Sequence, residues 1–155
     1  MQYLALKSLH IIAVVLFLGN VITGVFWKAH GDRAGTLAAR AQALDGIIRS
    51  DRWFTLPGVM VIIITGVLLA MTLGLPLLST RWIVWSLVLF GISGAVFSAR
   101  VAPLQKKLLA NVRAGLGGTW NESEYQALSR AWQAWGWVAT GTPVVALVLM
   151  VTKPV

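Results

Sequence analysis

His10 is the residue best suited to chemistry in this chain, and Lys7 stands one helical turn before it. A histidine one or two turns inside an apolar helix either binds a metal or hydrogen-bonds across to a neighbour. On a 3.6-residue wheel His10 shares a stripe with Tyr3, Val14, Phe17, Val21 and Gly24, and Asn20 lies about 80° away. An aromatic ring and a glycine beside a histidine suit a flat macrocycle with the imidazole on its iron. The plainer reading is a histidine that hydrogen-bonds across a bundle, with Lys7 snorkelling to the interface. His30 follows twenty residues later, roughly 30 Å along a helix and therefore at the opposite membrane face. The two cannot clamp one haem. A haem here would be five-coordinate, take a non-histidine sixth ligand, or be shared across a dimer.

The remaining inventory excludes most chemistry. Asp32, Asp45, Asp51, Glu122 and Glu124 are the only acidic residues, and all read as loop residues. A proton- or sodium-coupled carrier needs a carboxylate inside the membrane, so this placement weighs against that class. Paired-carboxylate hydrolysis and a Ser/His/Asp triad lack their parts. With no cysteine there are no disulfides, thiolate nucleophiles or iron–sulfur ligands. Met1, Met60, Met71 and Met150 are too scattered for a copper relay.

The elements that position these residues are four apolar runs, Leu9–Trp27, Trp53–Leu73, Trp82–Ala102 and Gly136–Thr152. Each approaches the ~20 residues that a helix needs to cross a bilayer. Lipid satisfies no backbone amide, and one strand hairpin cannot close its edges, so the spans are helices. The expected fold is all-α: a polytopic membrane protein, an antiparallel four-transmembrane-helix bundle in one domain over residues 1–155. Helices are expected at about 3–28, 53–73, 81–102 and 122–152, with inner loops at 29–52 and 103–121. The composition agrees, with 57% hydrophobic and 12% charged residues. The first run is too long for a signal-peptide core and is read as a retained helix.

The net charge of +8 does not indicate nucleic acid, because the basic residues flank the apolar runs. Lys28, Arg33, Arg40, Arg49, Arg52, Lys106, Lys107, Arg113 and Arg130 lie on one side, against Lys7, Arg81 and Lys153 on the other. That bias puts both long loops in the cytoplasm and both termini outside, in a bacterial inner membrane. Trp27, Trp53, Trp132, Trp135 and Trp137 then mark the inner interface, and Trp82 and Trp85 the outer one.

Local signals add detail. Leu37, Ala41, Leu44 and Ile48 form the apolar stripe of a short amphipathic helix that lies on the membrane or leads into helix two. Asn121-x-x-Glu124 and Ser123-x-x-Gln126 are capping boxes that start helix four near Glu122. The tight Gly74–Thr80 turn predicts that helices two and three are neighbours. Small-residue pairs at Gly19, Gly91 and Gly94 predict helix contacts there. Pro143 frees a carbonyl in helix four, which Thr140 or Thr142 is expected to satisfy.

The opening Leu6-Lys-Ser-Leu-His-Ile-Ile-Ala-Val-Val15, with Gly19 and Phe26-Trp-Lys-Ala-His30, resembles the first helix of the HemJ-type protoporphyrinogen oxidases. Those are small bacterial inner-membrane proteins that bind haem b. The resemblance implies that His10 matches their essential helix-one histidine and His30 one at the end of that helix. The lysine that family members carry after a tryptophan in a later helix has no counterpart in Trp82-Ile-Val-Trp-Ser86. Over the whole chain, Arg52-Trp-Phe-Thr-Leu-Pro-Gly58 and Thr65-Gly66 are similar to a bacterial family of predicted integral membrane proteins without assigned activity.

Three functional readings follow. The first is a HemJ-like haem- or porphyrin-associated site near the outer face, possible redox chemistry included. There His10 ligates iron, Phe17 and Gly24 form the floor and Asn20 donates a hydrogen bond, while Lys7 and Arg81 meet porphyrin carboxylates. The second is a non-enzymatic membrane component that binds lipid, a partner protein or a second copy. The third is a small-solute carrier or channel.

Overall fold

The computed structural model describes residues 1–154, and four long helices carry most of them. These are α1 (Gln2–Arg33), α2 (Leu37–Thr72), α3 (Arg81–Leu116) and α4 (Glu122–Thr152), each long and apolar enough to cross a membrane. No strand occurs among the described residues. A four-helix membrane bundle is the architecture that this chain adopts.

The segments read as loops are mostly helix. α1 runs on to Arg33, and α2 starts at Leu37, where the Thr36 hydroxyl accepts from the Ala39 amide at 3.2 Å. The amphipathic stripe leads straight into the second span, with Leu44 buried against Leu108 and Val112. α3 likewise continues past Pro103 to Leu116. Only residues 34–36, 73–80 and 117–121 remain as links. At the last of these Asn121 accepts from the Glu124 amide at 3.1 Å, and α4 begins at Glu122 as its caps require.

α2 and α3 are interrupted at matching points. A wider π-turn covers Asp51–Thr55 in α2 and Phe97–Val101 in α3. Proline stands two residues beyond each, at Pro57 and Pro103. A proline lacks the N–H for an i→i−4 bond and its ring crowds the carbonyl of the preceding turn, so the helix widens there.

These turns divide the bundle into two storeys. In the lower one, Leu37–Ser50 of α2 packs against Ala102–Leu116 of α3. In the upper one, Leu56–Thr72 packs on α1 and Arg81–Val96 on α4, while the Cα atoms of those two segments nowhere come within 8 Å of each other. The expectation that helices two and three are neighbours therefore fails in the upper storey, because each has a better partner. Gly58 and Gly66 let α2 approach Phe17 and His10 of α1. Ser93 of α3 donates to the α4 carbonyl of Ala139 (2.6 Å), and Ser86, whose hydroxyl donates to Trp82 of its own helix (2.7 Å), lies 3.4 Å from the Ala146 carbonyl. Ala139 carries the carbonyl that Pro143 frees, so Ser93 does what Thr140 or Thr142 was expected to do; Thr142 bonds Val138 instead. The result is two hairpins, α1–α2 and α3–α4, joined below and, above, in contact through Phe17 and Phe90 while the α2 and α3 backbones stand apart.

The small residues at contacts are also different ones. A Cβ on Gly19, Gly91 or Gly94 would meet nothing within 4 Å, so these faces point outward. A Cβ on Gly31 would lie 2.7 Å from the Ala43 Cβ and 3.2 Å from the Ala39 carbonyl oxygen. Gly31→Leu is therefore expected to destabilise by about 1–3 kcal/mol or more through overpacking, whereas Gly94→Leu leaves stability almost unchanged. Thermal unfolding of both variants in one detergent checks this. Equal losses would mean that the outward face is packed after all.

Candidate functional site

Between the two upper hairpins lies a cavity of about 710 Å³, within the size range of small-molecule sites. Its walls are mainly aliphatic, and at its floor Phe17 of α1 meets Phe90 of α3 edge-on with centroids 5.6 Å apart. No Cα of Leu56–Thr72 comes within 8 Å of one in Arg81–Val96, and side chains of both segments line the cavity between them.

His10 lines this cavity. Its Nδ1 lies 2.9 Å from the Thr65 hydroxyl oxygen. The single Thr65 hydroxyl proton points to the Val61 carbonyl at 2.5 Å. The network thus assigns the ring proton to Nδ1, which donates to Thr65 and leaves the lone pair on Nε2. Nε2 makes no side-chain hydrogen bond among the described residues, and the Ile62 backbone is also within reach of the ring. The ring lies against Gly66, where a Cβ would come within 3.3 Å of Cε1. The Thr65-Gly66 pair therefore has a local purpose: threonine orients the imidazole and glycine makes room for it.

Two cations reach the cavity mouth. Lys7 lies 5.9 Å from the Tyr3 ring centroid and Lys153 lies 5.6 Å from that of Trp82. Neither pairs with a carboxylate among the described residues, whose ion-paired acids all belong to the opposite end.

Of the six residues singled out from the sequence, His10, Phe17 and Lys7 come together here. Asn20, Gly24 and Arg81 do not line the cavity. Gly24 packs toward Ile47 of α2, Asn20 is bound to Asp51 and Thr55, and Arg81 is exposed on the first turn of α3. Lys153 takes the place expected of Arg81. The shared wheel stripe places Gly24 on the His10 face of α1, but one helix cannot reveal where its neighbours diverge.

The lower storey holds two polar clusters. Lys28 is 2% exposed; its Nζ donates to Asp32 Oδ2 and Ser129 Oγ, both at 2.7 Å, beside the rings of Tyr125 and Trp132. The Tyr125 hydroxyl donates to the second Asp32 oxygen, and the Arg40 guanidinium lies 4.8 Å from the Tyr125 centroid. Trp132, expected at the interface, is thus core. His30 stacks with Phe26 at this end, far from His10.

The second cluster centres on Asp51, which is buried and not in a loop. Its Oδ1 accepts from Asn20 Nδ2 (3.1 Å) and Thr55 Oγ1 (2.8 Å), and its Oδ2 from Gln105 Nε2 (3.0 Å). α1, α2 and α3 meet on this one carboxylate. Its sequence signal was Thr55, one helical turn on, with Pro57 marking a helix that had already begun.

Residues 4–154 match the model of a family described as predicted integral membrane proteins, DUF2269. No curated protein and no solved structure matches the chain.

Proposed function

The chain belongs to that family of predicted integral membrane proteins, and from this premise we propose that it holds haem b, or a related porphyrin, in the cavity beside His10. The observation that carries the reading is the His10 ring, with Nδ1 committed to Thr65 and Nε2 without a side-chain partner in the cavity wall. A metal-ligating histidine characteristically donates its other N–H to a neighbour in this way.

The remaining residues suit a porphyrin. The walls are apolar, and Gly66 and Thr65 hold the imidazole in one orientation. Lys7 and Lys153 stand at the mouth, where two carboxylates of an amphipathic macrocycle would pair with them at the membrane surface. Phe17 and Phe90 close the inner end against water from the lower storey. A bound haem would supply one-electron chemistry, its potential set by its axial ligand and the dryness of the pocket.

The test is an absorption spectrum of protein purified in mild detergent from haem-replete cells. Wild type is expected to show a Soret band that His10→Ala loses. No band in wild type, or the same band in His10→Ala, rejects the reading. The outward glycine faces of α1 and α3 favour a second one, a membrane component whose partner helix packs on Gly19 or on Gly91 and Gly94.

The setting is a bacterial inner membrane, with the lower storey and its basic residues cytoplasmic. Reporter fusions at Gly35 and Gly118, in the two lower links, are expected to read cytoplasmic. A periplasmic signal from either inverts the orientation.

A further inference from the structure

The Asp51 carboxylate lies deeper than its position in the sequence suggests. Asn20 stands seven residues before Trp27, about 10 Å further along α1 toward the upper storey. Since Asn20 bonds Asp51 directly, the carboxylate sits at that depth and below the floor of the cavity. Every group that reaches it is neutral: Asn20 from α1, Thr55 from α2 and Gln105 from α3. No cation pairs with it. On α2, Arg49 is turned to Asp45 and Arg52 is exposed; on α3, Arg100 lies over Trp135 and Lys106 is exposed. α1 offers no charge nearer than Lys28, which is held by Asp32, and α4 contributes no group to the cluster.

A buried carboxylate at membrane depth with no counter-charge is expensive, and such groups mark sites where protons are handled. This one also stands where the two hairpins separate. It occupies the π-turn of α2, and Gln105 lies two residues past Pro103, beyond the π-turn of α3. The Asp51–Gln105 hydrogen bond therefore ties the hairpins together at the last level where α2 and α3 touch. We infer that Asp51 is a proton-binding site that sets how far the two upper hairpins part, and hence how open the cavity is. The ionised carboxylate accepts from both amides at once. A proton on one oxygen turns an acceptor into a donor, so the Asn20 or Gln105 N–H bond is given up unless that amide turns over, and the junction must rearrange and loosens. The inference stands whether or not the cavity holds a haem.

The chain contains no cysteine, so labels can be placed without background. Spin labels at Met71→Cys on α2 and Val88→Cys on α3 report the upper separation, the full-length protein being held in lipid nanodiscs. Acidification is expected to shift the distance distribution to longer values. Asp51→Asn, which cannot ionise, is expected to show the long distribution at every pH, and Asp45→Asn to keep the wild-type response. Infrared difference spectra of the same samples give a second readout, a protonated-carboxyl band lost in Asp51→Asn. A distribution that does not move with pH in the wild type, or a shift that persists in Asp51→Asn, overturns the inference. If Asp51→Asn fails to fold, Gln105→Leu removes the same tie from α3. It must give the long distribution at neutral pH, and the short one overturns the inference equally.

Discussion

Lys28→Ala is expected to cost about 1.5–3 kcal/mol, the range for a lost hydrogen bond to a charged group, because the Asp32 carboxylate is partly exposed and keeps Arg40 nearby. The amine is enclosed by Asp32, Ser129, Tyr125 and Trp132, so no water replaces it when the side chain is cut back. The Asp32 carboxylate then keeps the Tyr125 hydroxyl as a donor and the Arg40 guanidinium 4.0 Å away, and the space left by the lysine stem lies open. Lys28→Met retains that stem and should lose distinctly less. Chemical unfolding in detergent, followed by tryptophan fluorescence, separates the two contributions. An alanine variant as stable as wild type would show that the amine is hydrated and the pair unimportant.

Asp51→Ala is the second large loss expected, about 3 kcal/mol or more. Asn20 and Gln105 each lose a charged acceptor worth roughly 1.5–3 kcal/mol; Asn20 keeps the Thr55 hydroxyl at 2.9 Å, whereas Gln105 has no other side-chain acceptor among the described residues. Thr55 is less affected, because a helical threonine can turn its hydroxyl to the carbonyl four residues back. Asp51→Asn keeps one acceptor oxygen and adds a donor, so it should be milder. The same unfolding experiment ranks them. Equal stability of the alanine variant and wild type would mean that the three helices are held together elsewhere.

The parts of this fold legible in the sequence are those that a single helix decides alone. Hydropathy marks the four spans, Asn121 marks the start of α4, and Thr36 with its apolar stripe marks a helix before Trp53. What required two helices was not legible. Asp51 reads as a loop residue because charge interrupts the apolar run, yet Asn20 and Gln105 come from elsewhere to receive it. Pro57 and Pro103 read as helix entry and loop, although each sits inside a continuous helix behind a π-turn. Gly94 and Gly31 are equally small, and only the neighbouring helix decides which is a contact. The candidate site divides the same way. The His10 stripe included Phe17, which lines the same cavity, but Thr65 and Gly66 stood out only as a shared dipeptide, and Lys153 came from the opposite hairpin.

The apolar lining of the cavity, set among membrane-spanning helices, sets the units in which binding here must be expressed. An apolar occupant is held mostly in the hydrocarbon phase before it binds, so the quantity that fills the site is its mole fraction among lipids. Its concentration in the buffer matters only through partitioning. Detergent dilutes such a solute as surely as added water dilutes a soluble one. Titrations at fixed total ligand should weaken as micelles or vesicles are added, and collapse onto one curve when plotted per mole of amphiphile.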